Sequence, residues 1–264
     1  MDFNLTTEQI QIREEIRKVC KEFSDPYWRE IDAKKDYPDA FVRKLSELGW
    51  LAALIPEEYG GTGLGITEAS IILEEINHSG GVATACHAQM YTMGTLLRHG
   101  NEEQKQRYLP KIATGELRLQ AFGVTEANAG SETTRIQTSA RRQGDKYIVN
   151  GQKIFISRVL QSDLMLLLAR TTPYDELKDK TRGLSVFLVD LKENKDRIEV
   201  KPLDLMINHQ DRRVRQGAPV RAVRRAARAD ARARLHPGRR AHLHHRAPDR
   251  RGSPQGQRPN IVHL

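Results

Sequence analysis

The residues best suited to chemistry lie in the segment FGVTEANAGSE, from Phe122 to Glu132. This segment follows an apolar stretch typical of a strand, and it holds Gly130 and Ser131 at a turn. The hydroxyls of Thr125 and Ser131 can donate hydrogen bonds, and a glycine lets the backbone approach a ligand closely, as a pyrophosphate or the edge of a flavin ring requires. The spacing alone fits an ordinary strand-to-turn connection at least as well.

A second glycine-rich segment, IPEEYGGTGLG from Ile55 to Gly65, has the glycine density of a phosphate-binding loop. It follows a predicted helix rather than a strand, fits no GxGxxG register and has no Lys-Ser or Lys-Thr partner. We therefore interpret Gly60, Gly61 and Gly63 as residues that permit tight turns between packed helices.

Metal and disulfide chemistry have little support in the sequence. The two cysteines, Cys20 and Cys86, lie inside helical patterns and form no close-spaced pair. Four histidines near the end of the chain could chelate a metal adventitiously, but their surroundings lack the orienting second shell of a metal site. They are His236, His242, His244 and His245. The sequence predicts no metal site.

The elements that must position these residues fall into two blocks. Apolar residues recur at three- and four-residue spacing before residue 117, and Thr6 with Gln9 forms a plausible capping box. Pro26 is expected to end the first helix. The further helices are expected at residues 38–49, 67–77, 83–99 and 101–110.

After Leu117 the apolar residues lie in short runs separated by turn signals such as Asn150-Gly151. Strands are predicted at residues 117–125, 136–142, 146–150, 152–158, 163–171, 183–191 and 197–204. Because the strands follow the helices as a block, the predicted fold is an all-α N-terminal domain at 1–118 and an antiparallel, β-barrel-like middle domain at 119–210.

The charge of the chain is concentrated in its last segment. The full sequence carries a formal charge of +9, whereas residues 211–264 contain 15 Arg against 3 Asp, no Lys and no Phe, Trp or Tyr. Too few large apolar residues remain there to offset the entropy of ordering the backbone, so this basic tail is expected to be disordered. No apolar run approaches the length of a membrane span, and the chain is expected to be soluble and cytoplasmic.

Four motifs in order carry a resemblance to a known family. They are IPEEYGGTGL, GVTEANAGSE, YIVNGQKIFIS and RGLSVFLVD, and over about residues 1–210 they resemble the acyl-CoA dehydrogenase family. The resemblance implies a helical N-terminal domain, a β domain and a C-terminal four-helix domain. It also implies noncovalent FAD, a homotetramer, an acyl-CoA substrate, an electron-transfer flavoprotein as acceptor, and a role in fatty acid or amino acid catabolism.

The resemblance also assigns candidate site residues. The flavin-contacting strand and loop of the family match Phe122 to Ser131, with Val124 and Thr125 at the ring edge, and Ser131 matches a position that reaches both flavin and acyl-CoA. The second flavin segment matches three consecutive residues: Phe155, Ile156 and Ser157. Phe155 stands where many relatives have Trp and would shield a flavin face; taken without the family, a core aromatic on a strand is the favoured interpretation.

This sequence departs from the family pattern at two loop positions. Glu132 stands where the family has Asp, and Arg135 replaces a small residue. The expected chemistry is α,β-dehydrogenation, in which a carboxylate removes the α proton and the β hydrogen leaves as hydride to the flavin. The family's base is a Glu in the C-terminal domain, the tail has no Glu, and neither Glu126 nor Glu132 is assigned that role. The sequence therefore names no catalytic residue and predicts little or no dehydrogenase activity and weak flavin retention for this chain.

The composition of the tail suggests its origin. Arg, Ala, Pro, Gly and His without Lys or Glu are what GC-rich codons yield when read out of register, so we interpret residues 211–264 as an aberrant tail produced by a frameshift near codon 210. The alternative is a noncatalytic binding protein of dehydrogenase descent, whose basic arm binds nucleic acid by counterion release. The first interpretation predicts no specific nucleic-acid partner and no membrane.

Overall fold

The architecture is a bundle of helices followed by a curled, mostly antiparallel sheet. The computed structural model describes residues 4–144 and 146–203, together with the strands at 212–216 and 261–263. The helices are α1 (Thr7–Lys21), α2 (Asp25–Lys34), α3 (Asp39–Glu47), α4 (Ile66–His78), α5 (Thr84–His99) and α6 (Glu102–Ala113). The strands are β1 (Leu119–Gly123), β2 (Ser139–Gln143), β3 (Lys146–Lys153), β4 (Leu164–Arg170), β5 (Leu184–Asp190), β6 (Ile198–Pro202), β7 (Arg212–Gln216) and β8 (Ile261–His263).

Local sequence signals set several helix ends. The capping box is confirmed, since the Thr6 hydroxyl accepts from the Gln9 amide at 3.2 Å and the Gln9 side chain accepts from the Thr6 amide at 3.1 Å. The prediction that Pro26 ends α1 is wrong. Helix α1 ends at Lys21, and Pro26 lies in the first turn of α2, where its missing N–H costs nothing. Helix α6 continues past Pro110 to Ala113 because its buried face extends to Ile112.

Strand β4 lies at the centre of the middle domain and is buried on both faces. Leu164 and Leu166 pack among α5 and α6 residues such as Met93 and Leu96. The alternate residues Met165 and Leu167 point into the core of the sheet. A strand covered on both sides reads as a continuous apolar run rather than an alternating one. The same strand therefore joins the helical core to the core of the sheet.

The expectation of a purely antiparallel sheet is wrong for three pairs of strands. Strands run in the order β6-β7-β3-β2-β4-β5-β8, with β1 also paired to β4. The pairs β1–β4 and β5–β8 are parallel, as is the contact between β2 and β4 at Ser139 and Arg170. Parallel neighbours need a long crossover, and the loop and hairpin from 124 to 163 supply one between β1 and β4. The sheet is therefore mixed.

The predicted hairpin turn at Asn150-Gly151 does not exist. Strand β3 runs through both residues, and the segment predicted as a strand at 152–158 is mostly a loop. The glycine serves close packing instead of a turn, since a Cβ built on Gly151 would lie 2.6 Å from the Thr138 Cβ and 2.7 Å from its Cα. In the other glycine-rich segment, Gly60 and Gly63 adopt positive φ, as the turn interpretation requires.

Part of the tail predicted to be disordered is in strands. Residues Arg212–Gln216 pair antiparallel with β6 on one side and β3 on the other, with Val214 opposite both Val200 and Lys153. Residues Ile261–His263 pair with β5. Strand pairing satisfies the hydrogen bonds of backbone groups whatever the side chains are. A prediction made from side-chain composition alone does not take this pairing into account. The remaining positions after 203 lie outside the described residues.

Within the part of the chain that the structure describes, none of the helices is both long and apolar enough to cross a bilayer.

The contact between Gly151 and Thr138 generates a stability prediction. We expect Gly151→Ala to lower the free energy of unfolding by about 1–3 kcal/mol, because the added methyl meets the backbone of Thr138 and forces the strands apart. Gly94→Ala in α5 is the matched control, since nothing lies within 4 Å of its Cβ position and alanine favours a helix. Urea unfolding of both variants measures this, and equal effects would contradict it.

Candidate functional site

The predicted flavin segments meet at a cleft between α5 and the loop after β3. The cleft has a volume of about 280 Å³. Helix α5 contributes one wall, β1 contributes Phe122, and the loop at 154–158 contributes the opposite wall. Its lining includes His87, Tyr91, Phe122, Phe155, Ser157 and Arg158. Aromatic rings beside hydroxyl and guanidinium groups suit a flat ligand that has polar edges.

The loop that lines the cleft has an unusual backbone. Phe155 adopts φ +57° and Arg158 adopts φ +59°, in the left-handed region that residues with a Cβ rarely occupy. The Ile154 amide donates to the Thr125 carbonyl at 2.9 Å, which ties the loop to the strand-loop after β1. Ile156 is buried in the sheet core, while Phe155 remains 52% exposed. The loop therefore places an aromatic ring in the cleft instead of burying it.

The cleft brings together only some of the residues predicted from the sequence. Phe122, Phe155 and Ser157 line it. Val124 and Thr125 are half-buried in the segment that continues from β1.

The other predicted positions lie elsewhere. The Ile156 side chain belongs to the core, so only its backbone is available to a ligand. Gly130 and Ser131 are exposed on the following loop, outside the lining of the cleft.

Three cleft residues were missed by the sequence analysis. The rings of His87 and Tyr91, one turn apart on α5, lie 5.2 Å apart, and Tyr91 lies 6.2 Å from Phe122. Burial raises the pKa of Tyr91, and the charge of Arg158 opposes that rise. Two polar aromatics four residues apart on one helix were the available signal. Arg158 offered no local signal.

A buried ion pair supports the segments that form the cleft. The Lys153 ammonium lies 2.8 Å from the Glu126 carboxylate, and the two side chains are only 2% and 5% exposed. Lys153 also donates to the Val124 carbonyl at 2.9 Å. The carboxylate accepts from the backbone amides of Gln137 and Thr138 at 2.7 and 2.9 Å. One pair thus joins the end of β3, the loop after β1 and the approach to β2.

The pairing shows why Glu126 is unsuited to proton abstraction. Burial alone would raise the pKa of Glu126, but the hydrogen bonds from Lys153, Thr138 and Gln137 outweigh it and hold that pKa below its ordinary value. Glu132, the other loop carboxylate, lies 2.8 Å from Arg135 on the surface. Glu132 and Arg135, the two residues that depart from the family pattern, therefore form an ion pair with each other.

A larger pocket of about 560 Å³ adjoins the loop at 127–135. Asn128, Arg135, Arg141, Arg170 and Tyr174 are part of its lining. Arg170 is buried, and burial lowers its pKa. Its guanidinium donates to the backbone carbonyls of Ile136, at 3.0 Å, and Thr134. Three arginines against one carboxylate, that of Asp175, give the pocket a net positive lining that suits an anionic group.

Cysteine and metal chemistry remain without support within the described residues. Cys20 and Cys86 are both buried and free. Where the structure describes the chain, no group of three or more His, Cys, Asp or Glu side chains is placed to hold a metal ion.

Comparison with known proteins identifies the family. The family model of the acyl-CoA dehydrogenase N-terminal domain matches residues 6–116, and that of the acyl-CoA dehydrogenase middle domain matches residues 121–211. These matches cover more than half of the chain. The chain belongs to the acyl-CoA dehydrogenase family.

Individual relatives agree with this assignment. The chain is 36% identical over 193 residues to the short-chain-specific acyl-CoA dehydrogenase of Clostridium acetobutylicum, covering 72% of this chain and 49% of that protein. It is 35% identical over 196 residues to the glutaryl-CoA dehydrogenase of Desulfococcus multivorans, with the same two coverages. The chain spans about half the length of the curated relatives it matches.

A solved structure shares the fold. The acyl-CoA dehydrogenase from Geobacillus kaustophilus is similar with a TM-score of 0.75 and 28% sequence identity, over 84% of this chain and 58% of that one. The helical domain and the curled sheet are therefore those of the family.

The buried ion pair generates a stability prediction. Lys153→Met is expected to lower the free energy of unfolding by about 3–5 kcal/mol, because it leaves the Glu126 carboxylate buried without its cation. Lys192→Met is the matched control, since Lys192 pairs with Asp163 at 2.6 Å but is 78% exposed, and its loss should cost less than about 1 kcal/mol. Chemical denaturation measures both variants. Similar losses for the two lysines would refute the importance of the buried pair.

The lowered pKa of Glu126 predicts a pH dependence. The unfolded state, with a carboxyl pKa near 4.3, binds a proton that the folded state resists. The contribution of Glu126 to stability is therefore complete above that pKa and is lost as the pH falls below it. Glu126→Gln should be less stable than the wild type at pH 7 and should lose less further stability between about pH 5 and pH 3. Parallel stability curves for the two proteins would contradict this assignment.

Proposed function

We propose that this chain provides the helical and middle domains of an FAD-dependent acyl-CoA dehydrogenase, which oxidises the α,β bond of an acyl-CoA thioester. The observation that carries the proposal is Phe155. A solvent-reachable aromatic ring on a left-handed backbone is costly to keep, and such strain is typical of a ligand-binding position. The family membership supplies the identity of the ligand.

The residues of the cleft fit a flavin. Phe155 offers an aromatic face, Ser157 a hydroxyl at the edge, and the nearby backbone of Val124 and Thr125 further polar groups. The loop with Gly130 and Ser131 continues from this edge, and open space surrounds the Cβ position of Gly130. Bound FAD would accept the β hydrogen of the substrate as hydride. The chain's own task is to fix the ring against α5 and to exclude water.

The larger pocket and the loop beside it are suited to the acyl-CoA substrate. Acyl-CoA carries several phosphate charges, and Arg135, Arg141 and Arg170 give the pocket a positive lining. Ser131, exposed at the tip of the same loop, is the residue proposed to reach both substrate and cofactor. The loop would thus separate a flavin side from a nucleotide side.

The proton-abstracting base is not assigned to either loop carboxylate. Glu126 is held by three donors and Glu132 by Arg135. The family resemblance places the base in a C-terminal helical domain, and we propose a Glu of such a domain for the complete enzyme. Without it, residues 4–203 would bind flavin weakly and turn over little substrate.

The acceptor, assembly and location are proposed from the resemblance and the composition. A solved chain from a study of the electron-transferring flavoprotein of Acidaminococcus fermentans is 30% identical, with a TM-score of 0.71, over 84% of this chain and 58% of that one. This similarity supports an electron-transfer flavoprotein as acceptor. A homotetramer is proposed for the complete enzyme, and the two free cysteines fit a reducing, cytoplasmic compartment.

The domain limits at 118/119 and 210/211 are also proposed. Strand β1 begins at Leu119, and the composition changes after residue 210, although β7 (Arg212–Gln216) pairs with β3 and β6 beyond that limit. A frameshift remains our explanation for the second limit, and the nucleotide sequence around codon 210 decides it. If neither alternative frame encodes an acyl-CoA dehydrogenase C-terminal domain, that explanation fails.

Flavin binding tests the function. Titration of the purified chain with FAD, followed by flavin fluorescence, should give weak but saturable binding, and Phe155→Ala should weaken it by about fivefold because stacking contributes on the order of 1 kcal/mol. Ile66→Ala is the control, since Ile66 is 72% exposed at the start of α4. No saturable binding by the wild type, or equal affinity of wild type and Phe155→Ala, would overturn the proposal. Robust turnover of acyl-CoA would overturn only the missing-base interpretation.

A further inference from the structure

The loop that presents Phe155 ends at a residue whose conformation needs support. Arg158 adopts φ +59°, although arginine has a Cβ and no short polar side chain to stabilise the left-handed region locally. Its carbonyl accepts two hydrogen bonds, from the Ser162 hydroxyl at 2.9 Å and from the Gln161 backbone amide at 3.2 Å. Ser162 is 9% exposed and lies just before β4. The bond therefore connects the end of the loop to the most buried strand of the sheet.

Ser162 is itself held by β1. The Gln120 amide donates to the Ser162 hydroxyl oxygen at 3.2 Å, so this hydroxyl both accepts and donates. An oxygen that accepts from one fixed backbone group and donates to another has little rotational freedom. These hydrogen bonds therefore fix the position of the Arg158 carbonyl relative to β1, the strand that carries Phe122.

Gln120 also makes contacts with the helical domain. Gln120 is 1% exposed; its side-chain oxygen accepts from the Tyr37 hydroxyl at 2.8 Å, and its side-chain nitrogen donates to the Gln89 Oε1 on α5 at 3.3 Å. Burial raises the pKa of Tyr37 to about 12, so its hydroxyl stays protonated and available as the donor. Both walls of the cleft, α5 and the loop at 154–158, are thus hydrogen-bonded to one residue of β1 or to its direct partner.

The energies involved are matched in size. Keeping a residue with a Cβ in the left-handed region costs about as much as one hydrogen bond contributes net. Loss of the Ser162 hydroxyl removes the shorter of the two hydrogen bonds to the Arg158 carbonyl, and this loss is large enough to shift the balance against the loop conformation. The buried ion pair fixes the start of the loop at Lys153, whereas nothing in that pair acts on its end at Arg158.

We propose that Ser162 is a positioning residue for the cofactor site: by holding the Arg158 carbonyl, it keeps Phe155 and Ser157 directed into the cleft. Gln120 orients Ser162 and couples it to Tyr37 and α5. This inference rests on the proposed flavin function for its consequence, but the loop conformation can be measured without flavin.

The test compares Ser162→Ala with a matched serine. Ser46 donates to the Val42 carbonyl at 2.9 Å with the same four-residue separation, within the helical domain. Hydrogen exchange of the peptide covering 154–162, measured without FAD, should be about tenfold faster in Ser162→Ala and unchanged in Ser46→Ala. Wild-type exchange in Ser162→Ala overturns the positioning role, whatever the flavin results.

Flavin binding then tests the consequence. Ser162→Ala should raise the dissociation constant for FAD about three- to tenfold and alter the visible absorption bands of the bound flavin, while Ser46→Ala leaves both unchanged. Ser162→Thr, which retains a hydroxyl, should recover most of the affinity. Faster loop exchange with no FAD binding even by the wild type supports the positioning role and overturns the proposed function. Unchanged affinity and spectrum in Ser162→Ala overturn the role of Ser162 in the cofactor site.

Discussion

The ion pair between Lys153 and Glu126 is the interaction on which the arrangement of the middle domain depends. Both charges are buried, so each is tolerated only because the other lies 2.8 Å away and because three backbone groups complete their hydrogen bonds. Those backbone groups belong to the loop after β1 and to the approach to β2, while the lysine ends β3. Three segments distant in sequence are thereby fixed relative to one another, and the loop that forms the cleft starts at the lysine.

Strand β4 fixes the helical domain relative to the sheet, because its residues belong to the cores of both. It has no solvent-facing side, since Leu164 and Leu166 pack with the helices and Met165 and Leu167 pack inside the sheet. A shift of the helical domain would therefore disturb the sheet core as well. The polar contact of Tyr37 with Gln120 crosses the same junction. The shape of the cleft between α5 and the loop therefore depends on this junction as well as on the buried ion pair.

The cleft illustrates how a family site is assembled from modest local parts. Phe122 is an ordinary strand residue, and His87 and Tyr91 are one turn apart on an ordinary helix. Only the left-handed residues at 155 and 158 are locally unusual. The membership in the acyl-CoA dehydrogenase family gives this assembly its chemical meaning, and the chain's share of that chemistry is to hold a flat cofactor in place.

The sequence by itself determined the two blocks of structure, the cap at Thr6, and the motifs that indicate the family, because these depend on local periodicity and hydrogen bonding. It misassigned Asn150-Gly151 as a turn because the reason for that glycine is a contact with Thr138, which only packing creates. It marked Glu126 as a plain loop carboxylate and Lys153 as a strand residue. Their pairing, the parallel contact of β1 with β4 and the approach of α5 to Phe155 join residues far apart in the chain. Only the tertiary structure decided these features, since pairing across such separations leaves no local pattern.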